Sequence, residues 1–417
     1  MSEPLARSYA EARRCVLEAL LPLPATTVRF DGCAGRALRA DVFAPHPLPP
    51  FTNSAMDGWA VRAADTSGAA GAPVTLPVVA VIPAGGVPPH VLGAGEAMRI
   101  MTGAQVPAGA DAIIPFELGE RGTDARGGET MSTRHAPDPG ENIRPAGRDV
   151  AAGALVLASG RELSAHDAAL LASLGVVDVS VGPAPRVAVF TTGDELLDPS
   201  APLRPGALRD SNLSLLSRLV SEAGGEVTDA ARLPDDATRV RERIADALKR
   251  ADVVLTVGGV SAGDFDPVKE ALVHFGSIEL WRVEMRPGRP QAFGRPDGRL
   301  FFGLPGNPAS VVCVFEALVR PALRRLQGFS ELDRPRVPVR ISQALASREG
   351  RTDFVRCELA WRAGELWATP AGEQVSGHLS PQSRAHALVI VPASAAALAI
   401  GERAEALLLR MPSADPA

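Results

Sequence analysis

Cysteine is scarce in this chain of 417 residues and follows no useful pattern. Cys15, Cys33, Cys313 and Cys357 share no short spacing, and neither C-x-x-C nor H-E-x-x-H occurs, which argues against a structural zinc site. Cys313, in "SVVCVFEAL", sits among apolar neighbours as a small buried hydrophobe of a reducing compartment does. No run reaches the ~18 uninterrupted apolar residues of a membrane span, and "MSEPLARSYAEARRC" lacks an apolar signal core. P-loop and G-x-G-x-x-G patterns are missing, so the chain is not an obvious NTPase or dinucleotide enzyme. The formal net charge of -5 leaves no basic stripe for general nucleic-acid binding. These absences predict a soluble, cytoplasmic protein with no nucleic-acid or membrane partner.

What is plentiful is apolar residues and turn formers. Hydrophobic residues make up 46% and mean hydropathy is +0.07, enough for large cores. Single cores stop growing near ~250 residues, so the length implies more than one domain. The 40 glycines and 37 prolines, spread along the chain, predict many turns and short strands. Residues 5–21 have the spacing of an amphipathic helix. From 26 to 160, short β-like runs alternate with Gly/Pro turns, and the polar stretch "ERGTDARGGETMSTRHAPDPG" predicts a hairpin or loop. Residues 162–175 look helical. From 185 onward strands alternate with helices, which predicts a parallel-rich sheet with helices on both faces. After Gly328 the texture is β again. The expected architecture is α/β and β multidomain: an N-terminal region over 5–183 with a β-rich part at about 44–153, an α/β domain over 184–330, and a small barrel-like β domain over 331–412.

Chemistry gathers after the α/β strands, where ligands of such sheets bind. "TTGDEL" follows "RVAVF", "GGVSAGDFDP" follows "DVVLTV", and "GLPGNP" follows "RLFF". Gly258, Gly259 and Gly263 permit close backbone approach to a ligand, and successive N–H groups there can cradle an anion. Ser261, Asp266 and Lys269 crowd the same loop, and Gly306 and Asn307 the third one. "GVSAG" imitates a nucleophile elbow, but Pro267 suits the first helical position and Asp266 the N-cap, so the helix starts too late after the serine. Asp266 is thus either a helix cap or a ligand, and Asp235 or Asp236 caps the helix that follows them. Glu195 has no such structural use. Carboxylates converging on phosphate-binding backbone would bind Mg²⁺, with Glu195 and Asp266 the candidate ligands. "WRVEMRPGRP" sets Arg282, Arg286 and Arg289 around a turn, as a solvated rim or an oxyanion clamp. "PPFTNSAMDGWAV" is too rich in specialised side chains for a simple turn.

Together "PPFTNSAMDGWAVR", "RIMTGAQVPAGADAII", "GENIRPAGRDV", "FTTGDEL", "VGGVSAGDFDPVKEAL" and "GLPGNPAS" resemble the MoeA family of molybdopterin molybdenumtransferases, which is similar to the E domain of gephyrin. The resemblance implies insertion of molybdate into adenylylated molybdopterin, with Mg²⁺-dependent hydrolysis of the adenylate and release of AMP. It implies an elongated homodimer with shared active sites, a MogA-like central domain, and contact with the adenylyltransferase and with molybdoenzyme chaperones. Carried over by position, the family's functional residues fall on Asp57, Thr102, Asp149, Glu195, Asp235, Asp266, Pro305, Pro308, Arg351 and Ser376. The chain departs from the family in having Arg282, Arg286 and Arg289 where lysines are frequent. It also has Trp59 at an exposed aromatic position that is often tyrosine. A molybdopterin adenylyltransferase, a non-catalytic scaffold and a tungstate-handling enzyme are the alternatives.

Overall fold

A computed structural model of the chain describes residues 5–18, 20–259 and 267–413. The expected helix over 5–21 is shorter than its periodicity suggests. Leu5–Ser8 is a strand, β1, lying parallel to the strand Ile278–Arg286, and helix α1 (Tyr9–Leu17) begins only after it. Ser8 stops the strand and starts the helix. Its hydroxyl accepts from the Glu11 N–H at 3.2 Å, while the Glu11 carboxylate accepts from the Ser8 N–H at 2.8 Å, a capping box. Apolar spacing cannot reveal that the preceding residues find an open sheet edge.

The β-rich part is a sheet of β2 (Gly58–Val61), β3 (Val74–Ile82), β4 (Ala97–Ile100), β5 (Ala112–Pro115), β6 (Gly119–Thr123) and β7 (Glu129–Thr133), in the order β5-β2-β4-β3-β7-β6. The polar excursion is the β6–β7 hairpin. Trp59 corrects an expectation: it is 1% exposed, packed edge-on against Phe116 with ring centroids 4.8 Å apart. Flanked by β4 and β5, β2 is buried on both faces, with Trp59 and Val61 in one core and Ala60 in another. Helix α2 (Ala165–Ser173), capped by a Ser164–Asp167 box, belongs to a separate core with Cys33, Leu38, Leu157 and Val179.

The α/β domain contains β8 (Arg186–Thr192), α3 (Asn212–Glu222), β9 (Glu226–Leu233), α4 (Ala237–Arg250), β10 (Val253–Val257), α5 (Pro267–Val273), β11 (Ile278–Arg286), β12 (Pro290–Gly294), β13 (Leu300–Leu304), α6 (Pro308–Val314) and α7 (Arg320–Gln327). A π-helical turn, Phe315–Val319, joins the last two helices. The sheet runs β9-β8-β10-β13-β12-β11, parallel through the first four strands, with β12 antiparallel to both neighbours. Alternate residues of β8 feed opposite cores: Val187 and Val189 face α3, α6 and α7, while Ala188 and Phe190 face α4 and α5. That is the signature of a sheet covered on both faces.

The C-terminal strands β14 (Arg336–Ile341), β15 (Thr352–Arg362), β16 (Glu365–Pro370), β17 (Ala387–Val391) and β18 (Arg403–Leu408) close into a barrel, ordered β15-β16-β14-β18-β17 with β17 returning to β15. The barrel is continuous with the α/β sheet, because Met285 and Arg286 of β11 pair with Thr352 and Asp353 of β15. Among the described residues no helix is long and apolar enough to cross a membrane.

His386, just before β17, ties the barrel wall together: its Nδ1 accepts from the Leu359 N–H at 3.1 Å, so the bond needs an unprotonated ring nitrogen. Burial pushes its pKa below the ordinary 6.5, the nearby Arg410 adds to this, and Glu358 opposes it. A depressed histidine contributes stability that is complete above the ordinary value and is lost as the pH falls through the folded one. The melting temperature is therefore expected to drop between pH 7 and pH 5, and His386→Asn, which keeps an acceptor that does not titrate, should flatten that slope.

Candidate functional site

The loops leaving β8, β9, β10 and β13 enclose a cavity of about 530 Å³ lined by Thr191, Thr192, Gly193, Glu195, Asn212, Asp235, Gly258, Gly259, Glu270 and Gly306. Asp194 and Asp235 hold two of these loops together reciprocally. The Asp194 N–H donates to the Asp235 carboxylate at 3.2 Å, and the Asp235 N–H donates to Asp194 at 3.3 Å. Asp236, not Asp235, caps α4, accepting from the Arg239 N–H at 3.0 Å, which leaves Asp235 on the cavity. Helix α3 is not held by Ser211, whose side chain makes no cap. Asp210 does that work, accepting from the Asn212 and Leu213 N–H groups at 3.0 Å each and from the Thr191 hydroxyl at 2.6 Å. Asn212 in turn donates to the Gly306 carbonyl at 2.7 Å, fixing the β13 loop.

Glycine is favoured at 258 by both its backbone and the space around it. Its φ is +98°, and a Cβ there would lie 2.7 Å from the Thr192 hydroxyl. Ser261, Gly263 and Asp266 lie outside the described residues. Lys269 is only 9% exposed, and it is its neighbour Glu270 that lines the cavity.

A second cavity, about 620 Å³, opens between the β11–β12 hairpin, the β13 loop and the barrel, and shares Gly306 with the first. Its walls include Arg286, Arg289, Pro305, Asn307, Arg348, Arg351 and Ser376. Pro308 opens α6 directly behind Asn307. Two carboxylates organise four guanidiniums here. Glu284 accepts from Arg289 at 2.6 Å and Arg348 at 2.8 Å, and Asp353 accepts from Arg351 at 2.6 and 2.9 Å with Arg286 at 3.9 Å. The Arg289 hydrogen bond, against burial and with help from Arg348, holds the Glu284 carboxyl below its ordinary 4.5. The surplus of positive charge suits a compact oxyanion. Arg282 does not join this group. It is an exposed strand residue of β11 opposite Pro290, and only Arg289 of the expected trio lies in the turn itself.

Asp57 and Thr102 meet in the β-rich part. One Asp57 carboxylate oxygen accepts from the Thr102 hydroxyl at 2.7 Å and from its N–H at 2.6 Å, and these bonds hold the carboxyl below its ordinary 3.8. Asp57, Thr102 and Asp149 are exposed, and none of them lines either cavity.

Three family models match successive parts of the chain: the MoeA N-terminal region (domain I and II) over residues 7–175, a probable molybdopterin binding domain over 188–325, and the MoeA C-terminal region (domain IV) over 338–409. The molybdopterin molybdenumtransferase 2 of Mycobacterium tuberculosis is 39% identical over 405 residues, covering 95% of this chain and 98% of that protein. The chain belongs to the MoeA family. The molybdopterin molybdenumtransferase of Bacillus subtilis is 34% identical over 92% of this chain and 89% of its own length. A crystal structure of the molybdopterin biosynthesis moeA protein from Pyrococcus horikoshii matches with a TM-score of 0.81 at 28% identity, covering 97% of this chain and all of that one, 100%. This MoeA-family chain is accordingly an enzyme of molybdenum cofactor biosynthesis, with molybdopterin and molybdate as the substrates its family implies.

Several residues of this candidate site escape a sequence reading. Arg348, Glu284 and Asp353 carry no motif of their own, and their pairing crosses from the α/β domain to the barrel. Asn212 and Asp210 were within reach, since "RDSN" opens a helix straight after a strand-level loop. Gly258→Ala should cost roughly 1–3 kcal/mol from its left-handed backbone, measured by urea unfolding. An unchanged midpoint would show that the loop can relax around the added methyl.

Proposed function

We propose that this enzyme inserts molybdate into adenylylated molybdopterin, with Mg²⁺-dependent hydrolysis of the adenylate and release of AMP. The observation that carries the reading is the meeting at Gly306 of two cavities of opposite character, one lined by carboxylates and backbone, the other by arginines. The phosphoanhydride belongs in the first and the molybdate in the second. Hydrolysis breaks the P–O–P bridge: the oxygen of water ends on one phosphorus and AMP leaves with the other. As the two dithiolene sulfurs bond to molybdenum, one molybdate oxide departs as water with the two thiol protons, without a change of oxidation state.

The donor set fits Mg²⁺. Among the described residues no group of three His, Cys, Asp or Glu side chains could hold a metal by itself. Mg²⁺ needs no such cage, because it keeps several waters and is held through one or two carboxylates plus substrate phosphates. Glu195 and Asp235 would hold it; Asp266, the other ligand expected from the sequence, lies outside the described residues. Bound there, the ion supplies charge neutralisation for the leaving phosphate. Asp235 keeps its position through Asp194. On the other side Arg286, Arg289 and Arg351 orient the oxyanion, with Ser376 beside them.

Asp57 and Thr102 act on this reading from a partner subunit, in a homodimer whose two-fold axis sets one chain's β-rich part against the other's α/β loops. Glu195→Ala should lower AMP release by roughly 100-fold or more, the scale of losing one preorganised electrostatic group, without changing the melting temperature. Asp57→Ala should lower AMP release by a similar factor, with some loss of stability because two hydrogen bonds from Thr102 go with it. Refolded together in equal amounts, the two variants should recover about a quarter of wild-type activity, since half of the dimers are mixed and each mixed dimer has one intact site. No recovery, with mixed dimers confirmed by mass, sinks the shared site.

A further inference from the structure

The loop between β16 and β17 carries Gln374, Val375 and Ser376 into the arginine-lined cavity, although it is built only of turns and irregular backbone up to His378. Arg356, from the middle of β15, underpins it. This side chain is 1% exposed. Its guanidinium donates to the carbonyls of His378 at 2.8 Å, Val375 at 2.9 Å and Glu373 at 3.2 Å. The Arg356 backbone is engaged as well: its N–H donates to the Gln374 amide oxygen at 3.0 Å, and its carbonyl accepts from the Gln374 amide at 3.2 Å.

Every one of these acceptors is neutral. Among the described residues no carboxylate forms an ion pair with Arg356, which sets it apart from Arg286, Arg289, Arg348 and Arg351 around the same cavity. A buried cation without a counter-ion is a poor way to stabilise a barrel, because an apolar side chain of similar volume would fill the space without the desolvation cost. Its value lies in what the fork organises. The loop it holds is clasped in turn by the start of α6: the Ser376 carbonyl accepts from the Ala309 N–H at 3.1 Å, and the Ser376 hydroxyl accepts from the Asn307 amide at 3.0 Å. Arg356 is therefore the fixed end of a chain of contacts that runs to the Gly306 junction of the two cavities.

We propose that Arg356 is a positioning residue for the oxyanion subsite, holding the 373–378 loop so that Ser376 and its neighbours face the anion and leaving its unpaired charge behind that loop. The inference rests on the reading of the second cavity as the molybdate site. The test uses the full-length protein and three variants, Arg356→Lys, Arg356→Met and Arg351→Ala. It compares calorimetric titration with sodium molybdate, amide exchange of residues 373–378 without ligand, and AMP release as a function of molybdate. A lysine keeps the charge but cannot span carbonyls at 373, 375 and 378. Arg356→Lys should speed exchange in that loop and weaken molybdate binding by roughly tenfold, the loss of one charge-assisted contact. Turnover at saturating molybdate should stay within about twofold, because a positioning loss of this kind is recovered by mass action. Arg356→Met should weaken binding further; if it does not fold, Arg356→Lys decides alone. Faster exchange with unchanged molybdate affinity would make Arg356 a purely structural residue, and unchanged exchange would remove the loop from its role. If Arg351→Ala weakens molybdate and Arg356→Lys does not, only the positioning inference falls. If neither does, the oxyanion reading of the cavity falls with it.

Discussion

The hydrogen bond from the Gly258 N–H to the Leu304 carbonyl, 3.0 Å long, continues the β10–β13 ladder one residue beyond β10. Both cavities depend on it. β8, β10 and β13 run parallel and in register, with Thr191 opposite Val257 and Val257 opposite Leu304, so their loops leave the sheet at one level. Gly258 then turns with a backbone that only glycine adopts cheaply, and its missing side chain lets the Thr192 hydroxyl close in. Because the ladder fixes Leu304, it also fixes Pro305 and Gly306, and the Asn212 amide secures the same loop from α3. A change in strand register here would move Glu195, Gly259 and Gly306 relative to one another and dissolve the wall that the two cavities share.

The arginine-rich cavity follows a different logic, because no single element builds it. Glu284 comes from β11, Arg289 from the hairpin turn and Arg348 from a barrel loop, and one carboxylate bonds both guanidiniums. Arg286 and Asp353 are register partners across the two-residue β11–β15 ladder, so backbone pairing brings their charges together before any ion pair forms. An arginine can give one edge of its fork to a structural carboxylate and keep other N–H groups for an anion. A lysine ammonium, as a point charge, does this with less geometric definition. The arginines at 286 and 289 therefore belong with the carboxylates that share them.

These particulars explain what the sequence revealed and what it hid. The alternation of apolar strands with capped helices was legible because each element's pattern is local, and so were the glycine loops, since backbone permissiveness is written in single residues. Leu5–Ser8 was misread because an edge strand owes its state to a neighbour some 270 positions away in the chain, at Trp281 to Glu284. Trp59 was misplaced because an aromatic beside a polar turn looks the same whether its strand is central or marginal, and only the pairing with β4 and β5 settles that. The exchange of Lys269 for Glu270 on the cavity is a matter of helix phase, since neighbouring residues point about 100° apart. Arg348, Glu284 and Asp353 stayed hidden because charge partnership across domains has no periodicity to detect.

The seam between sheet and barrel is held from a second direction, and that is what lets a two-residue ladder suffice. Glu316, 1% exposed inside the π-helical turn, accepts from Arg320 at 2.6 Å and from Arg334 at 3.0 Å, and Arg334 also reaches Glu222 of α3 at 2.9 Å. Arg334 stands just ahead of β14, so this cluster anchors the chain as it enters the barrel, while the β11–β15 ladder anchors the barrel where it meets the cavity. Buried ion pairs add little net stability over apolar packing, yet leaving one partner uncompensated costs about 3–5 kcal/mol. A shift of the barrel that withdrew Arg334 would leave Glu316 to Arg320 alone and break the bond to Glu222, so the cluster resists it more than a sliding apolar contact would. These two contacts, at separate places on the seam, set Arg348, Arg351 and Ser376 across the cavity from Arg286, Arg289 and Asn307.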